Sequence, residues 1–330
     1  MEDTDESTSL IIYILYVAIF GGLLTVLRHY FKGAQFNEKV TAKDKVAVIT
    51  GANTGIGLEI ARELNLRKAK VYMLCRDEKR ALDGKATLVR MGCDPTRLII
   101  EQCDLANFES IRNAANAILK AEKSIDILVN NAGVMFYPKY EKTIDGHEMH
   151  WQSNHLGPFL LTELLLPALK ASPSARIANL SSMLHLQSDR IDVSKIDEKK
   201  EFGLLKPYFR SKLANVMHAR ALTQRLRKEG THNVIINSCH PGAVNTELNR
   251  HFFLANLFKT VGKPFMWFFT KTPRDGAQTP LYLSLSKKVD GISGKYFSDC
   301  AIKSENVLAL DENACEDLYN YSLETCGLQK

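Results

Sequence analysis

The chain has 330 residues, 45% of them hydrophobic, and a net charge of +6. That excludes an intrinsically disordered chain and leaves room for one large core or two small ones, while the mild basic excess selects no partner by itself. Seven cysteines, an odd count with no C-x-x-C pair, speak against a zinc site or a disulfide framework and for a reducing compartment.

Residues 1–9 form a short acidic tail with Glu2, Asp3, Asp5 and Glu6. Leu10 to Leu27 then reads LIIYILYVAIFGGLLTVL without a charge. Its 18 residues reach the short end of a membrane span. Arg28, His29 and Lys32 follow, so the positive-inside rule predicts a signal anchor with the bulk of the chain on the cytoplasmic side. A cleaved signal peptide fits less well, because the flank before the run is acidic and no small-residue cleavage site follows. A helix lying in one leaflet is the other alternative. Residues 28–42 read as a polar linker.

From Lys43 short apolar runs alternate with longer stretches of helical period. Strands are expected at 46–50, 71–75, 98–102, 125–130, 176–181 and 234–239, with a short last one at 295–297. Helices are expected at 55–67, 78–91, 107–121, 146–169 and 209–228. The alternation predicts one α/β domain over 43–310, built on a parallel sheet with helices on both faces. Residues 311–330 read as a C-terminal helical tail. Cys75, Cys103 and Cys239 fall at strand ends, where a small buried hydrophobe is the plain reading.

In such sheets ligands bind beyond the carboxyl ends of the strands. There the chain places Gly51, Gly55 and Gly57, then Arg76, then Asp104 and Leu105, then Asn131, Ala132 and Gly133, then Ser181 and Ser182, then Pro241 and Gly242. Three glycines between a strand and a helix N-terminus make an anion site, through free N–H groups and the helix dipole. The spacing is G-x3-G-x-G rather than G-x-G-x-x-G, and glycines before a helix are often only turn residues. Tyr208 and Lys212, four apart, share one helix face. A neighbouring ammonium favours phenolate, which lowers a tyrosine toward working pH and fits it for general acid–base chemistry. Surface Y-x3-K pairs are common, so the weight lies in the order: glycine loop, NNAG, Ser-Ser, Y-x3-K, Pro-Gly.

Over about residues 43–300 the chain resembles a short-chain dehydrogenase/reductase. The stretches DGHEMHWQSNHLGPFLLTELLLPAL, SKLANV, HPGAVNTEL and GKYFSDC resemble its microsomal retinol dehydrogenase branch. The resemblance implies a Rossmann-type doubly wound parallel sheet in a single domain with an N-terminal transmembrane anchor helix. It implies that Gly51, Gly55 and Gly57, with Asn53, Thr54 and Ile56, cradle a pyrophosphate. Asp104 and Leu105 would flank adenine, and Asn131, Ala132 and Gly133 would support the nicotinamide half. Ser182 would polarise the substrate carbonyl and Tyr208 would be the acid/base. Lys212 would lower the tyrosine and bind ribose, and Asn154 would hold a proton-relay water. Pro241, Gly242 and Thr246 would shape the nicotinamide pocket.

At the end of the second strand, where an acid would accept both ribose hydroxyls of NAD, stand Cys75 and Arg76. A guanidinium there suits a 2′-phosphate, so NADP(H) is the expected cofactor and carbonyl reduction the expected direction. A solvated Arg76 that merely opens the next helix is the alternative. Residues 251–270 hold six phenylalanines and a tryptophan, and read either as a substrate lid that also touches membrane lipid or as core. The expected partners are an apolar carbonyl or alcohol and membrane lipid, with no nucleic acid and no metal. A homo-oligomer is left open. The expected site is the endoplasmic reticulum or a related membrane. The competing class is a catalytically idle interaction protein on a membrane surface.

Overall fold

The computed structural model describes residues 3–244 and 270–328, with side chains from Ile11 onward. Thr246 and residues 251–269 lie outside the described residues. A long helix α1 (Asp3–Lys32) precedes the sheet. Its 22-residue stretch Ile11–Lys32 is long and apolar enough to cross a membrane and is almost wholly exposed. At 1.5 Å per residue it measures about 33 Å, close to the thickness of a bilayer's hydrocarbon core.

The sheet contains β1 (Val46–Thr50), β2 (Lys70–Cys75), β3 (Leu98–Gln102), β4 (Ile127–Asn130), β5 (Ala175–Leu180), β6 (Val234–His240), β7 (Tyr296–Ser298) and β8 (Ala301–Ile302). Their order is β3-β2-β1-β4-β5-β6-β7-β8, parallel up to β7, with β8 antiparallel at the edge. The chain leaves β1 toward β2 and β3 and returns to β4 on β1's other side, so the strand order reverses between β1 and β4. Successive residues face opposite sides. Val48 enters one core with Leu128 and Ile177, whereas Ala47 and Ile49 enter the other with Val71 and Val129.

Helices α2 (Gly55–Leu66) and α3 (Glu78–Arg90) cover one face, and α4 (Phe108–Ala121) covers the other. The single helix expected at 146–169 is instead three pieces. A turn, α5 (Met149–Trp151), leads into a π segment (Gln152–Leu156), and α6 (Gly157–Ala171) follows. The cause is Pro158, which has no N–H to donate to the Asn154 carbonyl four residues back. The Gly157 N–H bonds Gln152 O, five residues back. Gly157 also lies so close to β3's exit that a Cβ there would meet Leu105 O at 2.6 Å. Gly146, with φ +90, stands outside the helix in a turn.

α7 (Lys206–Lys228) packs beside α6. Short α8 (Pro273–Gly276) and α9 (Gln278–Leu285) close the other face, and α10 (Glu312–Thr325) ends the described chain. α10 buries Cys315, Leu318 and Tyr319, and all three join the α6–α7 core. Tyr319 donates to Glu163 Oε1 at 2.6 Å, and the Arg225 guanidinium lies 4.0 Å from its ring. His155 and His218 are buried in the same cluster and held neutral by burial, which pushes both down to about 3.

The segment before β1 is tied to the domain. Arg67 donates to Glu38 O and Val40 O, and Phe36 N donates to Gln278 Oε1. Arg28, in α1's final turns, donates to Thr270 O at 3.1 Å and lies 3.8 Å from Asp275. Leu318→Ala should lower stability by ~2–5 kcal/mol, the usual cost of a buried leucine cavity. A denaturant midpoint equal to that of the parent chain would contradict this docking of α10.

Candidate active site

The glycine turn is held from three sides. Thr50, the last residue of β1, accepts N–H bonds on its hydroxyl from Asn131 at 2.9 Å and Ala132 at 3.0 Å. The Asn131 amide donates back to Thr50 O at 2.8 Å. A Cβ on Gly57 would meet Gly51 O at 2.3 Å and Asn131 Nδ2 at 2.5 Å, so only glycine lets α2 start this close to β1. Gly84 of α3 plays a similar part behind the loop, where a Cβ would meet Asn53 O at 2.8 Å. Gly51 and Gly55 both have positive φ.

A groove runs from this turn across the sheet's carboxyl edge. Gly51, Asn53, Thr54, Gly55, Ile56, Arg76, Asp104, Leu105, Asn131, Ala132, Gly133, Tyr208, Lys212 and Pro241 all line it. Gly57 stands behind the wall, as a packing residue. Gly242, at φ +97, is pressed against the stem of Lys271. The Asn131 amide is committed to β1's exit, so its part is to hold the wall.

Arg76 is exposed at one end of the groove, where Arg80 also lines it. Cys75 accepts hydrogen bonds from the Ala52 and Asn53 backbone, yet burial wins and pushes its thiol up to about 11. Asp77 lines this end of the groove as well while capping α3, its Oδ1 accepting from Arg80 N at 2.8 Å. Arg80 is a site residue that the sequence reading does not single out. The available signal is a cation in a helix's first turn, against the dipole, which suggests an anion nearby. Thr50 and Gly84 are likewise inconspicuous, and only the fold shows what they approach.

At the other end, α7 places Tyr208 and Lys212 one turn apart, both buried. Lys212 Nζ donates to Leu180 O at 3.1 Å and lies 5.6 Å from the centre of the Tyr208 ring. The spacing leads to the expectation of a lowered phenol, whereas the net shift is upward. Burial pushes Tyr208 up to about 12, with a Ser182 hydrogen bond pulling the other way. Burial pushes Lys212 down to about 8. Ser181 turns away and donates to Lys212 O. Ser182, also buried, faces Tyr208.

Asn154 sits in the π segment behind Gly133. Its Oδ1 accepts from Val134 N at 2.7 Å, and its Nδ2 donates to Val134 O and Ser211 Oγ at 3.0 Å. The side chain thus fastens the strand exit to α7. π segments recur at functional sites because they turn backbone groups out of the helical ladder.

Such a groove, with a glycine cradle at β1 and a Ser-Tyr-Lys cluster at β5 and α7, is a family hallmark, and comparison bears it out. The short chain dehydrogenase family matches residues 45–256. The chain is a short-chain dehydrogenase. It is 42% identical over 303 residues to human retinol dehydrogenase 12, covering 92% of this chain and 93% of that one. To human retinol dehydrogenase 14 it is 40% identical over 334 residues, covering 95% and 97%. A crystal structure of an uncharacterized protein from Mycobacterium paratuberculosis superposes with a TM-score of 0.71 at 26% identity, covering 89% of this chain and 98% of that one. This short-chain dehydrogenase therefore belongs to the retinol dehydrogenase branch and is an oxidoreductase acting on CH–OH groups.

Gly57→Ala should raise the dissociation constant for the reduced nicotinamide dinucleotide, NADH or NADPH, about tenfold or more, equivalent to ~1.4 kcal/mol. Fluorescence titration of the folded variant checks this, and an unchanged constant would contradict the cradle.

Proposed function

We propose that this chain is a membrane-anchored NADP(H)-dependent oxidoreductase that reduces a retinal-like or other apolar aldehyde or ketone to its alcohol. The observation that carries the reading is the groove's polarity. One end holds the buried pair Tyr208 and Lys212 beside Ser182, and the other holds Arg76 and Arg80. At the end of β2 stands the neutral Cys75 thiol, and Asp77, which lines the groove two residues on, has one carboxylate oxygen spent on the α3 cap.

The residues fit a dinucleotide phosphate. The turn that a Cβ would fill brings backbone close to a diphosphate, and α2 presents its N-terminus there. Asn53, Thr54, Gly55 and Ile56 would hold the diphosphate, with Gly51 and Gly57 shaping the turn. Asp104 and Leu105 would flank the adenine. Arg76 and Arg80 would bind the 2′-phosphate. Ala132, Gly133 and Pro241 would bound the nicotinamide, with Gly242 behind them and Lys212 reaching the ribose. When bound, the nicotinamide supplies a hydride for the carbonyl carbon.

The chain's own residues manage the proton. Ser182 donates to the carbonyl oxygen and polarises it. Tyr208, pushed up to about 12, is fully protonated at neutral pH, the state an acid needs for reduction. Once its proton has gone to the alkoxide, the phenolate lies near the Lys212 ammonium, which favours it electrostatically. Lys212, at about 8, still carries most of its charge at pH 7. Asn154 holds Val134 and Ser211 in register and supports a water-borne proton path. Val134, Met135 and Leu180 give the described substrate side an apolar character, in line with the retinoid named in its relatives.

Helix α1 supports anchoring. Its exposed apolar stretch is suited to lipid, and His29 and Lys32 near its end support a cytosolic domain at the endoplasmic reticulum or a related membrane. Arg28 contributes less to that flank, being turned back onto Thr270 and Asp275.

Tyr208→Phe should cut turnover of the best apolar aldehyde ~10²–10⁴-fold while NADPH affinity stays within about twofold. Turnover within a few-fold of the parent enzyme would remove Tyr208 from the acid role. Replacing Arg76 and Arg80 together by alanine should weaken NADPH about ten- to a hundred-fold and NADH hardly at all. Equal weakening of both, by calorimetry, would remove the 2′-phosphate assignment.

A further inference from the structure

Behind Ser182 lies a buried polar chain that ends in the C-terminal part of the protein. Ser182 caps a 3-10 turn, Met183–Gln187, its hydroxyl accepting from Leu184 N at 3.2 Å. Within that turn His185 is completely buried. Its Nδ1 is 2.6 Å from Ser182 O, and its Nε2 is 3.3 Å from Asn306 N. A carbonyl can only accept, so Nδ1 carries the proton. A backbone N–H can only donate, so Nε2 must be bare. The contacts therefore specify one neutral tautomer, and burial opposes the imidazolium.

The far end of the chain is equally committed. Asn306 Nδ2 donates to His185 O at 3.0 Å and Ser188 O at 3.1 Å, and its Oδ1 accepts from Leu308 N at 3.0 Å. The ring of Tyr296 on β7 lies 4.4 Å from the imidazole and fixes its plane. Ser182 thus has its peptide held from behind by an imidazole that is itself held by a residue more than a hundred positions away.

We propose that His185 is a positioning residue: acting with Asn306, it holds the Ser182 peptide so that the hydroxyl points at the reacting carbonyl beside Tyr208. This rests on the reading of Ser182 as the carbonyl-polarising group. A hydroxyl on a freely turning loop spends little time aligned, and small misplacements of a reacting group cost rate rather than affinity.

The experiment is a side-chain series with NADPH and a long-chain aldehyde. An asparagine amide can reproduce the Nδ1 donor, whereas phenylalanine keeps the ring and removes both nitrogens. His185→Phe should lower kcat about tenfold or more, with KM and the NADPH dissociation constant within about twofold. His185→Asn should recover most of that loss. Ser182→Ala is run beside them. If Ser182→Ala leaves turnover intact, the catalytic reading of Ser182 fails, and the proposal with it. If Ser182→Ala abolishes turnover but His185→Phe leaves kcat unchanged, the proposal alone is overturned. A loss of kcat that His185→Asn does not relieve also overturns it, because packing rather than the donor would then matter. A readout free of turnover is the nitrogen NMR of the parent protein, where His185 should show the Nδ1–H tautomer at neutral pH. An Nε2–H signal or an imidazolium would overturn the proposal, even if the variants fail to fold.

Discussion

The site depends on the burial of an ammonium and a phenol side by side. Lys212 and Tyr208 sit one turn apart on α7 with almost no exposure, and an isolated buried ammonium is costly. The described partner that offsets this cost is the Leu180 carbonyl at the end of β5, which also takes Asn215 Nδ2. A strand must end there and its last carbonyl must turn toward α7. The same turn presents Ser181 to the α7 backbone and leaves Ser182 free to face Tyr208. The opposite shifts, phenol up and ammonium down, have one cause, which is loss of water around both groups. The pair rests as a protonated acid beside a weakened cation.

Close backbone approach is the second constraint. Gly57, Gly84 and Gly157 lie where a Cβ would collide with Gly51 O, Asn53 O and Leu105 O. Two of the three shape the glycine-turn end of the groove, and the third lets the π segment carrying Asn154 pack against the exit of β3. Pro158 then breaks the helical ladder at Asn154, so the helix expected from its apolar period becomes a short turn, a π segment and α6.

The strands are legible because their apolar runs are short, alternate with helical periods and end in chemically conspicuous residues. Val46–Thr50 and Leu98–Gln102 coincide with the expected bounds. Tyr208, Lys212 and the glycine turn are legible because their spacing puts them on one face or in one turn and the order of the motifs along the chain singles them out. Thr50, Gly84, His185 and Asn306 are not, because each is held by or approaches a distant stretch of chain, and Arg80 is not because only the fold shows that it lines the groove. Asn306 meets His185 across 121 positions, and Thr50 meets Asn131 across 81. The phenol's upward shift is also hidden: a one-turn spacing shows that Lys212 is near Tyr208 but not how much water the fold removes from both. The C-terminal segment, which reads as a helical tail, contributes Leu318 and Tyr319 to the main core.

The central claim is that this groove joins a hydride carrier to an apolar carbonyl next to Tyr208. The most direct measurement incubates purified full-length protein in liposomes with retinal and NADPH deuterated at both C4 positions of the nicotinamide, then analyses the alcohol by mass spectrometry. The account predicts retinol carrying one deuterium on its carbinol carbon. Failure to form alcohol from retinal or any other apolar carbonyl in a panel, or an alcohol without the label, would contradict it.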